Sequence, residues 1–135
     1  MLPVRIVAVV DASAVVEILL KNALGQRVRE RILDTGEELH APHLIDIEVL
    51  HVLRRYNLSG AMPVDRVEAA ISIFQGLLIE RHSHEVVLHR IWELRSNLTA
   101  YDAAYVALAE LLGVPLVTTD KRLAKAAPHV AELIH

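Results

Sequence analysis

The sequence contains no cysteine, which excludes disulfides, thiolate metal sites and thiol nucleophiles together and fits a reducing compartment. Long apolar runs are also missing. No stretch approaches the ~20 residues needed to cross a bilayer, so a cytoplasmic protein with no membrane contact is expected. Arg5 precedes an apolar segment, and Ala12-Ser13-Ala14 mimics a signal-peptide cleavage site. Asp11 interrupts that segment after Ile6 to Val10, which is shorter than the ~7–15 residues a secretory signal requires, so a buried strand is the better reading. Excess positive charge is absent too. The formal charge of −3 and a sequence pI near 6.2 exclude a body that grips nucleic acid by bulk charge, so any such contact must be local.

The 135 residues suffice for one domain over 1–135, burying roughly two-thirds of the surface of the unfolded chain. Hydrophobic residues make up 53% and mean hydropathy is +0.36, apolar enough that part of the surface is expected to meet a second copy or another protein.

The β-branched run Ile6 to Val10 predicts a strand covered on both faces, with Asp11-Ala12-Ser13 turning into a helix from Ala14 to Leu20. A second helix is expected over Gln26 to Asp34, ended by Gly36, then a short strand Leu39 to Ala41 closed by Pro42. Helices are predicted over Leu44 to Tyr56 and from Pro63 to Gln75, followed by a strand Leu77 to Ile79. His84 to Arg95 and Thr99 to Leu112 read as helices, the latter stopped by Gly113. The strand Pro115 to Thr118, a short helix opened by Asp120 and an edge strand Val130 to Ile134 complete the chain. This alternation implies an α/β fold with a parallel sheet between helices.

Three acids fall where such a sheet places its chemistry. Asp11 follows the first strand, Asp120 follows the penultimate one, and Asp102 lies in the first turn of the helix between. Open α/β sheets bind ligands beyond the carboxyl ends of their strands, where strand order reverses. A plainer reading stands beside this one, since Asp11 or Ser13, Asp120 and Thr99-x-x-Asp102 all suit helix caps. On a helical wheel of residues 44 to 56, Glu48 lies at the margin of the apolar stripe beside His51 and Arg55, and Asp46 lies nearer the apolar side. Periodicity does not choose between them, because Asp46 equally suits the helix dipole.

Four segments carry a resemblance. They are Val9-Val10-Asp11-Ala12-Ser13; Pro42 followed by Glu48 and Arg54-Arg55; Leu98-Thr99-Ala100-Tyr101-Asp102-Ala103-Ala104-Tyr105-Val106-Ala107-Leu108-Ala109; and Val117-Thr118-Thr119-Asp120-Lys121-Arg122-Leu123. Together they resemble the PIN domain, specifically the VapC toxin ribonucleases, from about residue 6 to 131. The Leu-Thr-Ala-Tyr-Asp-Ala-Ala stretch is the most specific part.

This resemblance implies a three-layer α/β/α fold with strand order 3-2-1-4-5. It also implies catalytic and metal-binding roles for Asp11, Glu48, Asp102 and Asp120, supporting hydroxyls at Ser13 and Thr118, and dependence on one or two Mg²⁺ or Mn²⁺ ions. The activity implied is that of an endoribonuclease toxin cutting structured RNA, transfer or ribosomal, with metal-activated water. The partner implied is a VapB-type antitoxin; the apolar helices from Leu44 to Gln75 are expected to form the surface for that antitoxin or for a second copy. Oxygen-only ligands suit such hard cations, and crowded carboxylates need one to remain ionised.

Arg54, Arg55, Arg95, Lys121 and Arg122 are candidates for RNA contact around the acids, with Arg90 nearby, although ordinary solvated charge explains each one singly. Trp92 is expected in the core, and Tyr101 is free to stack on a base. The eight histidines show no His-x-x-x-His spacing, so surface histidines suffice and zinc is not expected. A haloacid-dehalogenase-type phosphotransferase would need an acid where Ser13 stands, and a receiver domain would need paired acids and a late lysine that are missing. The remaining rival is a PIN-like scaffold that binds RNA or protein without cutting.

Overall fold

The computed structural model describes residues 7–135; Ile6, the expected start of the first strand, lies outside them. Strand β1 (Val7–Val10) is the centre of the sheet, with Ala8, Val9 and Val10 sealed from solvent. Strands β2 (Glu38–Pro42), β3 (Ile79–His82), β4 (Leu116–Thr118) and β5 (Ala131–Leu133) complete it. The sheet order is β3-β2-β1-β4-β5, with every pairing parallel. From β1 the chain runs outward through β2 to β3, then returns to the other side of β1 for β4 and β5. Strand order therefore reverses between β1 and β4, the place where open α/β sheets bind ligands.

Helices α1 (Ala12–Leu20), α2 (Ala23–Ile32), α3 (Leu44–Leu58) and α4 (Val64–Gly76) fill the connections on the way out and pack among themselves. Helices α5 (Leu88–Glu93), α6 (Ala100–Leu112) and α7 (Lys121–Ala126) fill those on the return, with α6 lying against β1 and β2. The expected three-layer α/β/α fold with order 3-2-1-4-5 is present. No helix among the described residues is long and apolar enough to cross a membrane.

The sequence explains the boundaries. Asp11 caps α1 by accepting from the Ala14 N–H at 3.0 Å, so this helix starts at once and not after a turn through Ser13. Asn22 caps α2 through the Gly25 N–H, starting it earlier than Gln26. A Cβ at Gly25 would stand 2.1 Å from the Glu17 carbonyl oxygen, so only glycine allows α2 to approach α1 this closely. Gly113 ends α6 in the left-handed conformation, at φ 68°.

Three expectations fail locally. The third strand is Ile79–His82, not Leu77 to Ile79, and Leu78 is 90% exposed. As an edge strand it takes its side-chain alternation from one neighbour and solvent, so its polar Glu-Arg-His sequence belongs and the leucines before it do not. His84 to Arg95 is split into a 3-10 turn (His84–Val87) and α5. Trp92 is 65% exposed and lies outside the core, with the Arg95 guanidinium 4.4 Å from its ring centroid.

Candidate active site

Parallel pairing places the carboxyl ends of β1 and β4 side by side, with Val10 opposite Val117. The residues that follow, Asp11 and Thr118 to Asp120, therefore meet above them. Asp11 Oδ2 accepts from the Thr118 hydroxyl at 2.5 Å, and Oδ1 accepts from the Ser13 hydroxyl at 2.7 Å. The two hydroxyl oxygens are 3.2 Å apart, Ser13 Oγ accepts from the Thr119 N–H, and Thr118 Oγ1 accepts from the Asp120 N–H. Both carboxylate oxygens of Asp11 are thus fixed by neutral donors. Burial pushes the Asp11 carboxyl up to about 6, with the hydrogen bonds from Thr118, Ser13 and the Ala14 amide opposing the rise and the charge of Asp120 adding to it.

Helix α3 supplies Glu48, whose Oε1 accepts from the Tyr105 hydroxyl of α6 at 2.7 Å. Burial raises the Glu48 carboxyl, the Tyr105 hydrogen bond opposes that, and the charge of Asp102 raises it further. Asp102, one turn before Tyr105, is raised first by burial and then by Asp120, and lowered by Arg122. Tyr105 itself is buried and held strongly in its neutral form by burial, the bond to Glu48 and the charges of Glu48 and Asp11. Asp120 Oδ1 accepts from the Arg122 and Leu123 N–H groups at the start of α7.

All four acids line one cleft of about 590 Å³, together with Ser13, Arg55, Tyr101, Tyr105 and Arg122. The capping readings hold at the same time. Asp11 and Asp120 cap helices with the same carboxylates that face the cleft, and the Thr99 hydroxyl caps α6 through the Asp102 N–H at 3.2 Å. Thr118 stands behind Asp11, fully buried.

The ambiguity on α3 resolves through a partner on β3. Asp46 pairs with Arg81 at 2.7 Å and is taken up by that contact, whereas Glu48 faces the cleft. Of the basic candidates, Arg55 and Arg122 line the cleft; Arg54, Arg95 and Lys121 do not. Arg95 reaches the Trp92 carbonyl, and Arg90 is bound to Glu110 at 2.6 and 3.1 Å. Tyr105 received no role of its own from the sequence, although its spacing of three from Asp102 places both on one side of α6. His51 also lines the cleft.

The oxygen-only donor set fits a hard divalent cation. So does its electrostatic state, in which three of the four acids are pushed up by burial and each of those three is also raised by another acid of the set.

A family model described as PIN domain matches residues 8–128. Ribonuclease VapC1 of Mycobacterium tuberculosis is 43% identical over 119 residues, covering 87% of this chain and 89% of the relative. Ribonuclease VapC12 of the same organism is 39% identical over 125 residues, covering 93% and 95%. The crystal structure of VapBC2 from Rickettsia felis bound to a DNA fragment from their promoter has a similar chain, with a TM-score of 0.70, 14% identity and coverage of 96% of this chain and 100% of that one.

Proposed function

The chain belongs to the PIN-domain family, in its VapC-type branch, and from that premise we propose that it is a metal-dependent endoribonuclease toxin cutting structured RNA in the cytoplasm. The observation that carries the reading is the meeting of Asp11, Glu48, Asp102 and Asp120, from four elements, in one cleft. These four carboxylates would hold one or two Mg²⁺ or Mn²⁺ ions. When bound, such an ion supplies the positive charge that lets the acids ionise together, makes water a better nucleophile and steadies the scissile phosphate.

The chain's own groups do the positioning. Ser13 and Thr118 fix both oxygens of Asp11, so its carboxylate enters the reaction already oriented. Tyr105 holds Glu48 through one oxygen. Burial and a neighbouring acid raise Glu48 and Asp102 from their ordinary values, a penalty that a bound cation would relieve. Water adds to phosphorus and the ribose oxygen leaves, with no covalent enzyme intermediate. Arg55 and Arg122, lining the cleft with exposed side chains, suit contacts to the phosphates on either side, and exposed Tyr101 at the same cleft suits base stacking.

A VapB-type antitoxin and a second copy of the chain are the proposed protein partners. Exposed Ile47, Leu50 and Leu58 on α3 with Val64 on α4 support that reading. The test is cleavage of transfer and ribosomal RNA with Mg²⁺ or Mn²⁺, comparing the wild-type chain with a folded Asp11→Asn variant. Loss of cutting in the variant, and in the wild type with chelator, is expected. Cutting at the wild-type rate by Asp11→Asn would refute the metal site, and mapped cut ends would name the target.

A further inference from the structure

Strands β2 and β3 bring a second set of metal-binding side chains together, apart from the acidic cleft. His40 lies opposite Glu80 and Pro42 opposite His82, so His40, Glu80 and His82 project from one face of the sheet edge, as does Glu38 two residues before His40. His40 Nδ1 stands 2.7 Å from His82 Nε2 and 3.6 Å from a Glu80 oxygen, and one ligand atom from each of the three residues lies within 4.8 Å of the others. The His40 side chain is 7% exposed and that of Glu80 62%, which gives a fixed floor and a rim free to close. A separate contact orients the floor, since His40 Nε2 lies 2.8 Å from Glu38 Oε1. A carboxylate in that position keeps the proton on Nε2 and leaves the Nδ1 lone pair facing His82 and Glu80. Metal-binding histidines are held in the same way.

We propose that His40 Nδ1, His82 Nε2 and the Glu80 carboxylate form a second divalent-metal site, of the zinc type, with Glu38 as its orienting carboxylate. Two imidazoles and one carboxylate select Zn²⁺ and similar ions over Mg²⁺, the reverse of the oxygen-only cleft. Three protein ligands leave a fourth position for water. Without metal, one ring N–H bridges the two histidines. Binding needs the lone pair of His82 Nε2, so that ring would carry its proton on Nδ1. Zinc–nitrogen bonds of ~2.0–2.1 Å in tetrahedral geometry put two ligand nitrogens roughly 3.4 Å apart. The partly exposed His82 ring therefore swings outward by somewhat over half an ångström.

The site ties an edge strand to its one neighbour, and that strand supports the start of α3. The His43 N–H donates to the His82 carbonyl, and the Leu44 N–H donates to His84 Nε2, both at 3.0 Å. Helix α3 in turn carries Glu48. Bound metal accordingly steadies the element that delivers one of the four cleft acids.

Calorimetric titration of Zn²⁺ into the chelator-stripped full chain, with Co²⁺ absorption spectra as a second readout, tests the assignment. With the cleft acids removed in an Asp11→Asn, Asp102→Asn background, one equivalent should still bind, with four-coordinate Co²⁺ bands, and Asp11→Asn alone should keep that ion. Glu38→Gln should weaken binding by about 10–100-fold, and Glu80→Gln and His82→Gln by at least about tenfold. Glu80 is exposed, so its variant tests the site even if a histidine variant fails to fold. Unchanged affinity in Glu80→Gln, loss of the ion in Asp11→Asn, or no Zn²⁺ uptake by the wild type would overturn the proposal.

Discussion

Glu37 and Asp11 are both carboxylates almost closed to solvent, and the fold compensates them in different ways. The Glu37 side chain, 1% exposed, pairs with Arg31, whose guanidinium also grips Glu132 of β5 through two nitrogens. Asp11, 5% exposed, is met by two hydroxyls and one amide, and the charge that acts on it among the described residues is that of another acid, Asp120. A structural carboxylate needs its countercharge within the chain, because an ion buried without one costs several kcal/mol. One that is oriented with no cationic partner among the described residues is suited to a cation from solution. The contrast separates ion pairs that hold the fold from acids that the fold holds ready.

The largest effect expected from this contrast is on stability at the compensated pair. Arg31→Leu leaves Glu37 buried without its guanidinium and should cost about 3–5 kcal/mol in urea unfolding. Asp11→Asn should cost little or stabilise the metal-free protein. Equal losses in the two variants would erase the distinction.

Next in size is the pH dependence. The folded Asp11 carboxyl keeps its proton up to about 6, whereas the unfolded chain releases it near 3.8. Between those values the folded state binds more protons, so stability falls as pH rises through the window, and the full penalty stands above pH 6. The shift corresponds to about 3 kcal/mol. Glu48 and Asp102, raised in the same direction, add to it. Glu110, lowered by Arg90 and His129, runs the other way, its contribution being lost as pH falls through its lowered value. Metal-free unfolding curves should show the wild type gaining stability from pH 7 to pH 5 and Asp11→Asn gaining clearly less.

The smallest effect belongs to Tyr105→Phe. It removes one hydrogen bond to a half-buried acid and should change stability by about 1 kcal/mol. RNA cleavage should nevertheless fall about tenfold, because Glu48 loses its fixed orientation. A variant cutting at the wild-type rate would remove Tyr105 from the positioning set.

The sequence exposed what the sheet's centre determines. A β-branched run ending in Asp11 and a second strand ending before Asp120 can be read directly, since strands buried on both faces read as near-continuous apolar runs. The edge was not readable in this way. Leu77 and Leu78 look more strand-like than Glu80 to His82, yet it is the polar segment that pairs with β2. Glu48 is chosen over Asp46 by resemblance and not by periodicity; the physical reason, the pairing of Asp46 with Arg81, lies on that same misplaced strand. His40 and His82 touch across a separation of 42 residues, and no local spacing announces such a pair. The expectation of surface histidines fails at His40 for that reason, because it is buried.

The most direct measurement is Mg²⁺ titration at pH 7 by calorimetry and thermal unfolding, comparing the wild type with an Asp11→Asn, Asp102→Asn double variant. Mg²⁺ should bind and stabilise the wild type, by about 2.7 kcal/mol at a hundred times the dissociation constant, and the double variant should gain nothing. Equal stabilisation of both proteins, or of neither, would contradict a metal site in the cleft.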